Sequence, residues 1–93
     1  MYDRILRQMR EKIQTRQYVM TIHAEDEMTD DDLSIFDVER VVLTGSIVER
    51  QKDQDTAEWK YLVKGATIAG NLAVVVAKIS TTSKLVIITV YAE

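Results

Sequence analysis

The chain of 93 residues carries one histidine, His23, and no cysteine. A single histidine excludes a His-His metal site and a two-histidine ribonuclease mechanism within one chain. The lack of cysteine removes thiolate metal sites, thiol nucleophiles and disulfides, so no metal or cofactor is expected. His23 falls where a short helix should begin, so it can bond the backbone of the cap or accept a proton from a substrate. Lys60 and Lys64 lie four apart in an alternating stretch. On a strand rising roughly 3.3 Å per residue they share one face about 13 Å apart. That separation suits two contacts along a nucleotide backbone, and it equally suits surface solubility. Thr89 interrupts an apolar run, so its hydroxyl either bonds locally or faces a site. Tyr91, like Trp59 and Tyr61, reads mainly as core.

The acidic run Glu25, Asp26, Glu27, Asp30, Asp31 and Asp32 invites a calcium-loop reading. It fails at two ligand positions: starting from Asp30, the sixth is Ile35 where glycine is needed, and the twelfth is Val41 where a bidentate glutamate is needed. A solvated or partner-facing acidic surface remains. Residues 1–21 hold five basic and two acidic side chains, residues 22–58 three and twelve, and residues 59–93 four and one. With a pI near 5.1, the chain lacks the overall basic footprint of a generic nucleic-acid binder. Any RNA contact must be local and must use the lysines of the C-terminal half.

The elements that would position these residues follow from periodicity. Tyr2, Ile5, Leu6, Met9 and Ile13 form one helical stripe over residues 2–17, with Arg4, Arg7, Arg10, Lys12 and Arg16 over most of the remaining surface. Tyr18 to Thr21 should run extended. Thr21 then caps a helix that reaches about Asp30. Ser34 and Asp37 have the spacing of a capping box, and Val38, Val41 and Val42 give the third helix its buried face. Gly45 is expected to end that helix in the left-handed conformation. From there the period becomes two. Strands are expected over 47–51, 59–64, 72–79 and 85–91, with Gly70-Asn71 as a hairpin turn. The expectation is a single α+β domain spanning residues 1–93, with helices over about 2–44 and a four-stranded antiparallel meander over about 46–92.

Both faces of the last two strands are apolar, with Val86, Ile88 and Val90 set by alternation against Leu85, Ile87 and Tyr91. Helices cover one face, so a homodimer or a dedicated protein partner is expected on the other. No apolar run approaches the length of a membrane span, and a cytoplasmic location is expected.

Several residues together resemble a bacterial family of unknown function, domain of unknown function 4258. They are His23-Ala24 with Met28, Ser34 with Asp37-Val38, Gly45-Ser46-Ile47, Lys60-Tyr61 with Lys64-Gly65, Val74-Val75-Val76, and Ile88-Thr89-Val90-Tyr91. The match runs from about Thr21 to Tyr91 and rests on order and spacing. Members resemble small RNA-cleaving toxins of the RelE and barnase type, often encoded beside a small zinc-finger antitoxin. The resemblance implies a metal-independent endoribonuclease with a cognate antitoxin-like partner. By the same resemblance His23 is the general acid or base, Lys60 and Lys64 hold the scissile phosphate, and Thr89 and Tyr91 line the floor. Two features depart from the pattern. Glu27 stands where many relatives carry arginine, and a carboxylate there repels phosphate. Strict alternation also sets the lysines opposite Tyr61, so that one pocket would need a bulge. These departures leave open a non-catalytic interaction module on the same scaffold.

Overall fold

A computed structural model describes residues 2–93. Three helices, α1 (Asp3–Gln14), α2 (Ile22–Asp30) and α3 (Ile35–Thr44), accompany five strands: β1 (Tyr18–Met20), β2 (Ser46–Lys52), β3 (Trp59–Ala66), β4 (Leu72–Ile79) and β5 (Leu85–Ala92). The expected α+β class holds, with one addition to the sheet. Its order is β1-β5-β4-β3-β2, where β2 to β5 form the antiparallel meander and Tyr18–Met20 pairs in parallel with Leu85–Ile87. The sheet is therefore mixed and five-stranded, not four-stranded.

Local signals explain the helix starts. The Thr21 side chain accepts the Ala24 N–H at 3.1 Å, and Ser34 and Asp37 make the full reciprocal capping box. The Asp37 carboxylate also takes the N–H of Ile68 at 2.9 Å, so it ties the β3–β4 loop to the start of α3. These backbone bonds, that of Ser34 first, hold the Asp37 carboxyl below the usual carboxylate range.

Met9 and Ile13 of α1, Ala24 of α2, and Val38, Val41 and Val42 of α3 pack against Val63, Ala73, Val75, Ala77, Leu85, Ile87 and Val90 of the sheet. All three helices thus cover the same sheet face. Gly45 does end α3, yet its φ of −86° and ψ of −164° are extended, not left-handed. Its function is close approach. A Cβ there would press into the Lys64 carbonyl and lie 2.5 Å from the Val41 carbonyl oxygen, and one on Gly65 would lie 2.9 Å from the Gly45 Cα.

Arg10 does not belong to the solvated face of α1. Its guanidinium donates to the carbonyls of Val42 at 3.1 Å and Gly45 at 2.8 Å, satisfying acceptors that the end of α3 leaves free. Arg10→Met keeps the aliphatic stem and removes both donors. It is expected to cost about 2 kcal/mol, seen as a lower urea midpoint with unchanged slope.

The Tyr18 hydroxyl donates to the Glu39 carboxylate of α3. Burial, and then this carboxylate, push the phenol up to about 12. A raised folded-state value means that the folded protein holds the proton more tightly. The contribution is whole below about pH 10, the unfolded phenol's value, and is lost as pH rises through about 12. Because the ring is partly exposed, solvent screening should hold the loss to about 1 kcal/mol. Wild type should lose that much more stability than Tyr18→Phe between pH 10 and 12 in urea titrations; parallel curves would refute the assignment.

Candidate functional site

The face of the sheet opposite the helices carries the lysines. Ser46, Lys64, Val74 and Tyr91 form one row across β2, β3, β4 and β5, and Glu49, Leu62, Val76 and Thr89 form the next. Lys60, paired with Gln51, stands on the same face beyond them. Residues in one such row point the same way, and their strands are about 4.8 Å apart. Lys60, Lys64, Thr89 and Tyr91 therefore share one helix-free face.

A bulge brings Thr89 and Tyr91 there. Ala77 pairs with Ile87 and Val76 with Thr89, so Ile88 is the extra residue. Alternation placed Ile88 with Val90 and set Tyr91 beside Leu85 and Ile87. The structure corrects this: Val90 joins Leu85 and Ile87 in the core, while Thr89 and Tyr91 join Val86 on the other side. Tyr91 is thus not a core residue, whereas Tyr61 packs against the core.

The face has a buried floor. Val74 is 2% and Val76 7% exposed, although neither belongs to the core cluster under the helices. Little of their apolar surface is therefore open to a partner.

His23 borders this face on α2. Beyond Ile87, β1 has ended and the outer edge of β5 would present unpaired N–H groups. Helix α2 supplies the acceptors: Glu27 Oε1 takes the N–H of Val90 at 3.1 Å, and Asp31 takes that of Ala92 at 2.8 Å. Thr21 donates to the Ile88 carbonyl at 3.0 Å. The first turn of α2 thus lies alongside Thr89. His23 Nε2 is 3.3 Å from the same Glu27 oxygen that holds Val90, and the imidazole is 68% exposed.

Glu27 is a functional candidate that sequence reasoning treated only as an obstacle. Its oxygen fixes the β5 edge and faces the imidazole, an arrangement in which a carboxylate orients a histidine. The spacing of His23, Glu27 and Asp31 at i, i+4 and i+8 was the available signal, since it sets all three on one helical stripe.

Charge is unevenly distributed over the lysines. Lys64 pairs with Glu93 at 2.7 Å, and Lys78 with Glu58 at 3.1 Å. Lys60 makes no ion pair among the described residues. A separate hollow of about 260 Å³ is bounded by Asp31, Asp32, Leu33, Asp37, Thr67 and Asn71, among others, and none of the five candidates lines it. Among the described residues no group of three or more acidic or histidine side chains converges as a metal site. No helix there is long and apolar enough to cross a membrane.

No curated protein and no solved structure matches the chain. A family described as a domain of unknown function, DUF4258, matches residues 20–92, the stretch that runs from β1 through α2 to the last strand. The match leaves out α1, the start of β1 and Glu93, and the chain belongs to the DUF4258 family.

Proposed function

We propose that the chain is a metal-independent endoribonuclease of the toxin type, acting on single-stranded RNA laid across the helix-free face of the sheet. The observation that carries this reading is the convergence of Lys60, Lys64, Thr89 and Tyr91 on that face, with His23 and Glu27 along its β5 border. In the proposed step the ribose 2′-oxygen bonds to phosphorus and the bond to the 5′-oxygen breaks, giving a 2′,3′-cyclic phosphate and a 5′-hydroxyl. His23 takes the 2′-hydroxyl proton and returns one to the leaving oxygen. Lys64, in the row of Tyr91, meets the scissile phosphate once the substrate displaces Glu93, and Lys60, about 13 Å along β3, meets a neighbouring phosphate of the strand as a free cation. The developing charge on the phosphorane strengthens the Lys64 contact. Thr89 and Tyr91 flank the reacting nucleotide above the floor of Val74 and Val76.

A cytoplasmic enzyme of this kind needs restraint, and an antitoxin-like protein or a second copy of the chain is the proposed partner. The test is controlled induction of wild type and His23→Ala in a bacterial host, following growth and total RNA. Arrest with RNA breakdown in wild type alone supports the reading; two harmless proteins refute it.

A second reading rests on a different observation. Phe36, Ile68 and Leu72 are 65%, 63% and 49% exposed, and the last two flank the acidic hollow through the β3–β4 loop. A protein-interaction module without catalysis would use that surface. It predicts a tight complex that survives His23→Ala and is lost on Phe36→Ala.

A further inference from the structure

Trp59 is the largest apolar side chain of the protein, yet it is 41% exposed and stands outside the core cluster. It opens β3 opposite Lys52, beyond Tyr61, the last β3 residue paired with β4. The sheet is here a ribbon two strands wide, with the β2 edge open. The Arg50 guanidinium lies 4.1 Å from the Trp59 ring centroid and the Lys52 ammonium 5.9 Å. Arg50 and Lys52 pair with Tyr61 and Trp59 on the face opposite Lys60, which is the next residue along β3. The three acids next to these residues in sequence are engaged elsewhere: Glu49 accepts from the Gln51 side chain at 2.6 Å, Glu58 pairs with Lys78 at 3.1 Å, and Asp53 accepts the Asp55 N–H at 2.9 Å. None of them forms an ion pair with Arg50 or Lys52 among the described residues.

We propose that Trp59, with Arg50 and Lys52, is a base-stacking platform for single-stranded RNA, reached by a strand that leaves Lys60 and crosses the β2 edge. An indole held by a guanidinium on one face offers its exposed surface to a base as a flat stacking platform, and the Lys52 ammonium beside it can meet a flanking phosphate. Stacking of this kind tolerates any base, so the platform extends the grip on the strand without selecting a sequence. The inference rests on the reading of the helix-free face as an RNA surface and adds to it a second contact point, outside the reacting centre.

Trp59 is the only tryptophan, so its emission reports on this position alone. The probe is a fluorescein-labelled decamer of 2′-O-methyl adenosine, which lacks the attacking hydroxyl and stays intact. Anisotropy measures binding by the label, and tryptophan emission is followed with the unlabelled decamer. Wild type is expected to bind with quenched emission, Trp59→Ala about tenfold more weakly, and Trp59→Phe within about threefold, because an aromatic surface remains. Lys52→Gln should lower the salt dependence by about 0.7 in the log–log slope. Binding that Lys60→Ala weakens but Trp59→Ala does not, with emission unchanged, overturns the platform and leaves the sheet-face reading standing. No binding by wild type overturns both. If Trp59→Ala does not fold, the emission of the wild type on titration decides the matter.

Discussion

Gly45→Ala is expected to lower stability by about 3 kcal/mol, at the upper end of what overpacking costs, or roughly 15 °C in midpoint for a chain of this size. The added Cβ meets the carbonyl oxygens of Lys64 and Val41 and the Lys64 carbonyl carbon. All three atoms are backbone, so no side chain can rotate away. Relief requires α3 to lift from β3, and that movement also loosens the two Arg10 bonds to Val42 and Gly45. Gly70 provides the contrast. Its φ is +90° and nothing lies within 4 Å of an added Cβ, so Gly70→Ala pays only for left-handed backbone, about 1 kcal/mol. Thermal melts of the two variants measure space against conformation. Equal midpoints would mean that α3 and β3 are not locked at this contact. Because Lys64 belongs to the strand that is displaced, residual folded Gly45→Ala should also bind RNA poorly.

The second large effect concerns chemistry. With a defined single-stranded RNA and purified protein, His23→Ala is expected to lower the cleavage rate by two to three orders of magnitude, about what a positioned proton-transfer group contributes. Glu27→Gln separates orientation from repulsion. The amide oxygen can still accept the Val90 N–H, so the fold should hold, but the imidazole loses its charged partner and the rate should fall about tenfold. Glu27→Ala should lose both, with about 2 kcal/mol of stability gone because the Val90 N–H at the β5 edge has no acceptor. An increase in rate for Glu27→Gln would sink the orienting role. It would mean that the carboxylate acts mainly by repelling phosphate, as its place in the family pattern first suggests.

Most of the architecture was legible where a side chain declares its local bond. Thr21, Ser34 and Asp37 announce their caps by type and spacing, and Val38, Val41 and Val42 announce a buried helical face; each is where periodicity set it. The meander was legible because turns and alternation are local. Three features were not. The extended run at Tyr18 was read from its residue types, but its place in the sheet was not: β1 is three residues long, and its partner lies near the other end of the chain. The bulge at Ile88 falls among β-branched apolar residues, where either face accepts any of them and no glycine marks the irregularity. Gly45 was read through its torsion angles, whereas the demand comes from a strand nineteen residues away. Of the candidate site, the lysine face was legible from alternation alone. The placement of Thr89 and Tyr91 beside it, and the bonding of Glu27, required tertiary contacts.

The parallel pairing of β1 with β5 has a consequence for the order of assembly. The strands of the meander find their neighbours nearby in sequence, but Thr21 waits for Ile88, 67 residues later. Contacts of such long separation form slowly, because closing the loop costs entropy before any contact returns it. On the ribosome the helix that carries His23 emerges early and has no β5 to dock on. The border of the candidate site can close only when the last strand has left the exit tunnel. A chain interrupted between Ile79 and Leu85 would therefore carry the histidine and most of the lysine face, yet never bring them together.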